Sequence, residues 1–497
     1  MNASSESDPR LTDEGVRADL QRQPHLMLKL AENALSVAEN LRDNYFRNTT
    51  TFIKHLRKRV YGTSAGGQEP ILTVHRVDDI DWSALRGEVV TFIDGGIGGV
   101  ELSNQVPVLL RVGSYSVRPG ERQLAEREHF GYYPVIFGDL EGGSKERKDF
   151  PDIVRITAEL LGGLSAVERT PDLRVLMFHG PLVYMMGAYA GHTPFTEKDI
   201  DLFLQHYAAD PKRARELKED FLHQARLDIY PKLTPSSSDQ WADRRIFEPL
   251  SWIAFLYRRL MAVARSRKPV PIIAGVVERG GTLRQFSETV LLERVFRGLR
   301  KRAKQHYFNE MYGRKDLTSP KALLDRLGYT DALLLGMLLR PGEASEPWSM
   351  DKYSGLRRGD VALPGESHEE KVDFSPLAHP NIGFPHVTGF YVHVSETTEP
   401  IRVEVFTNLG EEQVHLAAER SYLYARLLPQ YGFPVGLDIA DKHAKVPAWM
   451  TDAYAKLIRH HLGVSLQRGE ITDAELRRIL VQAIYMTHRD WLFRPKV

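Results

Sequence analysis

A carboxylate ends an apolar run in the segment VVTFIDGGIGGVEL, residues 89–102. The residues before Asp94 are typical of a buried strand, and Gly95 and Gly96 follow it directly. One interpretation is an Asp-Gly turn in which the carboxylate accepts hydrogen bonds from local N–H groups. The other is a ligand for Mg²⁺ or Mn²⁺, which prefer oxygen donors, beside glycines that let a phosphate backbone approach closely. Because one carboxylate does not hold such an ion, the second interpretation requires further ligands to converge on Asp94.

A second set of residues has the charge and spacing for contact with a polyanion. In LLERVFRGLRKRAKQHYF, the cations Arg297, Lys301 and Lys304 stand at i, i+4 and i+7, which predicts one face of a helix. Arg294 and Arg300 lie close by in the sequence. Such a face either lines a channel that follows DNA phosphates or is an ordinary solvated surface, and the sequence leaves both open.

The sequence lacks the common nucleotide-binding motifs. A G-x-G-x-x-G pattern that starts at Gly96 has Glu101 in place of its last glycine, and no Walker A pattern is present. A G-x-S-x-G match at 62–66 falls in a linker that lacks the preceding strand of a nucleophile elbow. Any ATP-driven motor that works with this protein must therefore be another chain.

Composition narrows the possible classes of protein further. The 497 residues include 66 basic and 65 acidic side chains, so a polyanion site has to be a local patch. The absence of cysteine excludes disulfides, thiolate catalysis and cysteine-bound metal centres. The polar start does not resemble a signal peptide, and no stretch approaches the roughly 20 apolar residues of a membrane span. We therefore expect a cytoplasmic protein with no membrane partner.

The elements that must position Asp94 predict an α/β fold. Helical periodicity is found at about 12–60, 151–168 and 195–268, and again in the tail from about 412. The strand-like runs, in order, are PILTVHRV, EVVTFID, PVLLRVGSYSV, YYPVIFGDL, LRVLMFHG, PVPIIAGVVE, GFYVHVS and IRVEVF. Strands that alternate with helices in this way predict a sheet with flanking helices.

Several of these segments, taken in order, resemble the NurA nuclease family. VVTFIDGGIGG is similar to the first family motif, and LRVLMFHGPLV is similar to the second, a strand that ends in Asp-Gly. PVPIIAGVVE, YTDALLLGMLLRPGEASEPW, FYVHV, IRVEVF and GFPVGLDIADKHAKV follow in family order. The resemblance spans about residues 85 to 450, and the order of the motifs is more specific than any one of them.

The resemblance implies an RNase H-like mixed sheet with a divalent-metal site, in a DNA nuclease that works beside a HerA-type hexameric ATPase. It also implies a homodimer around a central channel. Among the site residues, the first family carboxylate corresponds to Asp94. The glutamate on the helix before the second motif corresponds to Glu159, twenty residues before His179, with Glu168 as a weaker rival. Either glutamate could instead be a solvated helix position.

The sequence departs from the family pattern at two site positions. The second-motif strand ends in His179 where the family has aspartate, and Asp441 stands where the last motif has histidine, with His443 two positions on. One hypothesis is a compensated exchange, in which Asp94, Glu159 and His179 bind the catalytic metal and Asp441 binds a second ion or orients water. Imidazole favours Mn²⁺ over Mg²⁺. The other hypothesis is loss of the catalytic site.

Two functions therefore remain open after the sequence analysis. The first is a divalent-metal-dependent DNA nuclease in end processing, repair or anti-phage defence, and the second is a degenerate subunit that binds DNA or scaffolds the ATPase. The domain organisation that we predict has three parts. These are a helical extension and linker at 1–84, a nuclease domain at 85–450 with a helical insertion at about 195–268, and a helical tail at 451–497.

Overall fold

The computed structural model describes most of the chain. The residues outside the description are 1–16, 19–20, 63–69, 102–104, 138–139, 141, 208–209, 225–246, 279–282, 298–316, 354, 357–359, 363–370, 380–382, 411, 486–493 and 496–497. Two compact units are formed, one by Met1–Thr73 with Arg284–Leu338 and the other by Val74–Leu283 with Leu339–Val497. The three-part domain organisation stays a prediction.

The first unit is helical. Its elements are α1 (Pro24–Asn40), a π-helical turn (Leu41–Phe46), α2 (Arg47–Tyr61), a second π-helical turn (Ser287–Leu291), α8 (Leu292–Phe296), α9 (Pro320–Leu327) and α10 (Asp331–Leu338). Helix α2 buries Phe52 and Leu56, and the Phe52 ring stacks on Tyr329 at 6.1 Å. The carboxylate of buried Asp331 accepts hydrogen bonds from the backbone N–H groups of Phe286 and Ser287. Helix α1 buries none of its described residues.

The second unit is built on a mixed sheet. Its strands are β1 (Val74–Arg76), β2 (Val89–Glu101), β3 (Val108–Val117), β4 (Glu128–Phe137), β5 (Leu173–His179), β6 (Ile272–Val277), β7 (Glu343–Ser345), β8 (Trp348–Met350), β11 (Val387–His393), β12 (Ile401–Phe406) and β13 (Arg494–Pro495), with a separate hairpin of β9 (Asp360–Ala362) and β10 (Lys371–Asp373). Its helices are α3 (Leu124–Arg127), α4 (Ser144–Arg169), α5 (Glu197–Tyr207), α6 (Pro211–Gln224), α7 (Pro249–Ser266), α11 (Glu412–Arg426), α12 (Val435–Ala444), α13 (Ala448–Gln467) and α14 (Ala474–Tyr485).

The strand order in the described sheet is β1-β7-β11-β12-β6-β5-β2-β3-β4. Strands β2, β3 and β4 form an antiparallel meander, whereas β5 runs parallel to both β2 and β6. The five strands β2 to β6 therefore have the order 3-2-1-4-5 with the second strand antiparallel, which is the RNase H-like arrangement that the resemblance implied. The α/β fold with a mixed sheet and flanking helices is confirmed.

The central strands are apolar because helices cover both of their faces. Phe92 of β2 packs against Gly436 of α12, whereas Ile93 faces Gly162 of α4. Alternate side chains of a strand point to opposite faces, so α12 and α4 lie on opposite sides of β2. Among the described helices, none is long and apolar enough to cross a membrane.

One predicted helix ends earlier than the sequence suggested. The run that contains Arg297 and Lys301 was expected to be continuous, but α8 ends at Phe296 and Arg297 has extended backbone angles, φ −61° and ψ 135°. The physical reason is in the sequence, since Gly298 comes next and glycine commonly follows the last residue of a helix. The predicted helical face is therefore interrupted at Arg297.

Candidate metal centre

Two neighbouring parallel strands bring Asp94 and His179 together. Ile93 of β2 is in register with Phe178 of β5, so the next residue on each strand is a site residue. Phe178 packs against Gly163 of α4, which turns His179 to the opposite face, where α12 lies. Nδ1 of His179 donates a hydrogen bond to Oδ2 of Asp94 at 2.9 Å. The Oδ1 atom of Asp94 accepts a hydrogen bond from the Gly95 backbone N–H at 2.8 Å.

Helix α12 supplies the third side chain. Asp94, His179 and Asp441 each offer a donor atom, and these atoms all lie within 4.8 Å of one another. Asp94 is buried, His179 is partly buried and Asp441 is exposed, so the group opens to solvent on the side of Asp441. Two carboxylates and an imidazole at this separation are a chemically suitable set for a divalent cation.

The glycines of β2 have a role that the sequence analysis missed. A Cβ atom on Gly96 would lie 2.2 Å from the Ala444 carbonyl oxygen, and one on Gly113 of β3 would lie 2.4 Å from the Ala440 carbonyl oxygen. Glycine at these positions therefore lets α12 lie directly on the sheet, which brings Asp441 to Asp94. At Gly95 the neighbours are the side chains of α4. On the side where a Cβ atom would stand, the close neighbours of Gly95 and Gly96 are thus protein atoms, and the approach of a phosphate backbone stays a prediction.

Protonation in the group follows from its crowded charges. Burial lowers the pKa of His179, but the hydrogen bond to Asp94 and the charge of Asp94 raise it by more, so the net shift is upward. The pKa of Asp441 is raised by partial burial and by the negative charge of Asp94. Clustered anions that resist ionisation together are stabilised by a cation among them.

Glu159 lies next to this group but outside it. Its Oε1 atom accepts a hydrogen bond from Nη1 of Arg155 at 2.8 Å, one turn earlier on α4. Burial raises the pKa of Glu159 to about 7, with Arg155 acting against the shift and Asp94 adding to it. Glu168, the rival, is further along α4 and has Arg213 within 3.5 Å.

Other predicted residues lie apart from the group. The ring of His443 packs against Phe130 at 4.8 Å between centroids. Arg294 is partly buried and donates to the backbone carbonyl of Ile71 at 3.3 Å, while Arg297 is exposed. Arg300, Lys301 and Lys304 lie outside the described residues.

Sequence reasoning also missed residues around the group. Arg155 was visible as the i−4 neighbour of Glu159, a spacing that commonly forms ion pairs. Phe433 lies against the His179 ring at 5.1 Å, and Tyr431 packs on Phe433 at 6.1 Å. Glu278 adds negative charge near His179. Phe433 and Glu278 lie within segments that carry the family resemblance, but none of these three residues was predicted to lie at the site, because they reach it only through the tertiary fold.

Comparison with known families finds a match in the C-terminal part of the chain. The family model described as the NurA domain matches residues 304–446, a region that includes Asp441. This match supports the resemblance to the NurA family that the order of the motifs indicated. No curated protein matches the chain.

Solved structures were compared as well. The NurA nuclease from Sulfolobus solfataricus is 11% identical, with a TM-score of 0.42 over 86% of this chain and 98% of that one. A NurA structure with manganese is 11% identical, with a TM-score of 0.32 over 85% and 94% of the two chains. A NurA structure bound to dAMP and manganese is 12% identical, with a TM-score of 0.31 over 86% and 94%.

Proposed function

We propose that this protein is a divalent-metal-dependent deoxyribonuclease, a phosphodiester hydrolase with its metal centre at Asp94, His179 and Asp441. The observation that carries the proposal is the convergence of their three donor atoms within 4.8 Å on one face of the sheet. Two of them come from neighbouring parallel strands and the third from the helix that covers those strands. This joins residues that are far apart in the sequence into one suitable ligand set.

A bound divalent ion would lower the pKa of water and neutralise negative charge on the scissile phosphate. The residues of the chain then have separate tasks. Asp94 is fixed by the Gly95 N–H and holds His179 by a hydrogen bond, so both donors are oriented in advance. Asp441 lies on the exposed side, where DNA would approach. An imidazole in the set favours Mn²⁺ over Mg²⁺ as the cofactor.

The decisive variant is Asp94→Asn, which keeps the shape of the side chain but removes its charge. We expect cleavage of labelled DNA in Mn²⁺ to disappear and the affinity for Mn²⁺ to fall at least about tenfold, with an unchanged circular dichroism spectrum. Cleavage should be measured with each divalent metal, with and without the partner ATPase. If the variant cuts DNA as well as the wild type, the metal centre is not at Asp94.

The DNA contacts that we propose involve the basic segment with Arg294, Arg297, Arg300, Lys301 and Lys304. Its support is the density of positive charge in a chain whose net charge is only +1. Arg297 is exposed and therefore available to a phosphate, whereas Arg294 already has a backbone partner.

The proposed partner is a HerA-type hexameric ATPase, in a cytoplasmic assembly with a homodimer of this chain that acts in repair or antiviral defence. Helix α1 supports a docking role for the N-terminal residues, because Leu28, Leu30 and Leu35 are each about 60% exposed. Replacing these three leucines with serine should abolish co-purification with the ATPase and leave thermal stability unchanged. If the variant still co-purifies with the ATPase, α1 is not part of the docking surface.

A second candidate function is a non-catalytic subunit that binds DNA or scaffolds the ATPase. The observation in its favour is that both carboxylate oxygens of Asp94 already have hydrogen-bond partners within the protein. A site that satisfies itself in this way does not depend on a cation for its folding. Calorimetry separates the two functions, since the second predicts no Mn²⁺ binding and no cleavage by the wild-type protein.

A further inference from the structure

The positively charged side chain of Arg155 lies beside the candidate metal centre. Arg155 and Glu159 form an ion pair of 2.8 Å on α4, and their side chains are only 15% and 6% exposed. Arg155 also lies 3.3 Å from Asp152 and is stacked over the Tyr184 ring at 5.2 Å. A guanidinium that is held on three sides has little freedom to move away from its carboxylate.

The pair touches the backbone next to Asp94. A Cβ atom on Gly95 would lie 2.6 Å from Oε1 of Glu159 and 2.8 Å from Cγ of Arg155. Gly95 thus allows the pair to approach the strand from the α4 face, while His179 and Asp441 approach from the α12 face. Asp94 stands between a ligand set on one side and an ion pair on the other.

The α4 side and the α12 side of Asp94 differ in charge, because among the described residues only the carboxylate on the α4 side is paired with an arginine. Sites with two metal ions use carboxylates to hold both ions a few ångströms apart. Here the carboxylate on the α4 side, Glu159, is paired with Arg155, and its donor atoms are not part of the group formed by Asp94, His179 and Asp441. A second divalent ion at Glu159 would meet a buried guanidinium, which remains charged at any physiological pH.

We propose that Arg155 takes the place of a second divalent cation, so that this site binds a single ion through Asp94, His179 and Asp441. The inference rests on the proposed function, which requires that the site bind at least one ion. Arg155 is then a positioning residue. It neutralises Glu159 and keeps that carboxylate from competing for the ion.

Stoichiometry tests the inference without any measurement of activity. Calorimetric titration of the full chain with Mn²⁺ should give one ion per chain for the wild type. Arg155→Gln should give two, because Glu159 is released to bind an ion together with Asp94. The double variant Arg155→Gln, Glu159→Gln should return to one. Electron paramagnetic resonance should show an isolated Mn²⁺ in the wild type and a coupled pair in Arg155→Gln.

The outcomes separate this inference from the proposed function. Two ions in the wild type, or one ion in a folded Arg155→Gln, would overturn the role of Arg155 and leave the nuclease proposal standing. No ion in the wild type would overturn both. If Arg155→Gln does not fold, Glu159→Gln decides the matter, since it should retain one ion per chain, and loss of that ion would show that Glu159 is a ligand.

Discussion

Nδ1 of His179 lies 2.9 Å from Oδ2 of Asp94, although 85 positions separate the two residues in the sequence. The contact exists because β2 and β5 are parallel neighbours in register up to Ile93 and Phe178. It raises the pKa of His179 against the opposing effect of burial. A protonated imidazole cannot bind a cation, so a metal at this site competes with the His179 proton and should bind more tightly as the pH rises.

Asp441 can be tested against a neighbour on the same helix. Asp441→Asn should weaken Mn²⁺ binding at least about tenfold by calorimetry, because one of three charged or basic donors is lost. Asp438→Asn is the matched control, since Asp438 is one turn earlier on α12 and pairs with Lys442. Its Mn²⁺ affinity should stay within about twofold of the wild type. If the two variants weaken Mn²⁺ binding equally, Asp441 attracts the ion only by its negative charge and is not a ligand.

His179 should decide between metals. His179→Ala should abolish Mn²⁺-dependent cleavage, because the nitrogen donor and the hydrogen bond to Asp94 are both removed. His179→Asp supplies an oxygen donor and should shift the preference from Mn²⁺ toward Mg²⁺, measured as the ratio of cleavage rates in the two ions. A ratio that does not change would contradict metal ligation by His179.

Glu248 should make stability depend on pH away from the site. It is fully buried before α7, where it accepts the Leu250 N–H at 2.7 Å, and burial raises its pKa from 4.5 to about 8. A carboxyl whose pKa is raised by folding stabilises the protein at low pH and loses that contribution as the pH rises through its folded value. The melting temperature of the wild type, relative to Glu248→Gln, should therefore fall between about pH 5 and about pH 9. A constant difference would show that Glu248 does not titrate in this range.

The basic segment makes a prediction about salt. Replacing Arg297, Lys301 and Lys304 with alanine should weaken binding to DNA of any sequence. The slope of log K against log salt concentration should become shallower by about 0.7 to 0.9 for each lost phosphate contact. Lys198→Ala and Lys212→Ala are controls on exposed lysines of α5 and α6, and they should leave the slope unchanged. An unchanged slope in the triple variant would show that the segment is an ordinary solvated surface.

The sequence by itself determined the local elements and pointed to Asp94 as the first candidate ligand. Strand β2 could be predicted because its apolar residues lie in one continuous run, and Asp94 follows from that run. The long helix α4 was equally visible from its periodicity, and so was the helical position of Glu159. These features are local, so they depend on residues within a few positions of one another.

Only the tertiary structure decided which side chains meet. Asp441 and His443 are two positions apart on α12, about 200° around the helix axis. The docking of α12 on Gly96 and Gly113 therefore turns Asp441 toward Asp94 and His179, and His443 toward Phe130. Glu159 was expected among the ligands, yet it is bonded to Arg155, because α4 covers the other face of β2. The sequence contains each of these residues. The face each one occupies depends on strand register and on the close approach of helices, which join positions hundreds of residues apart.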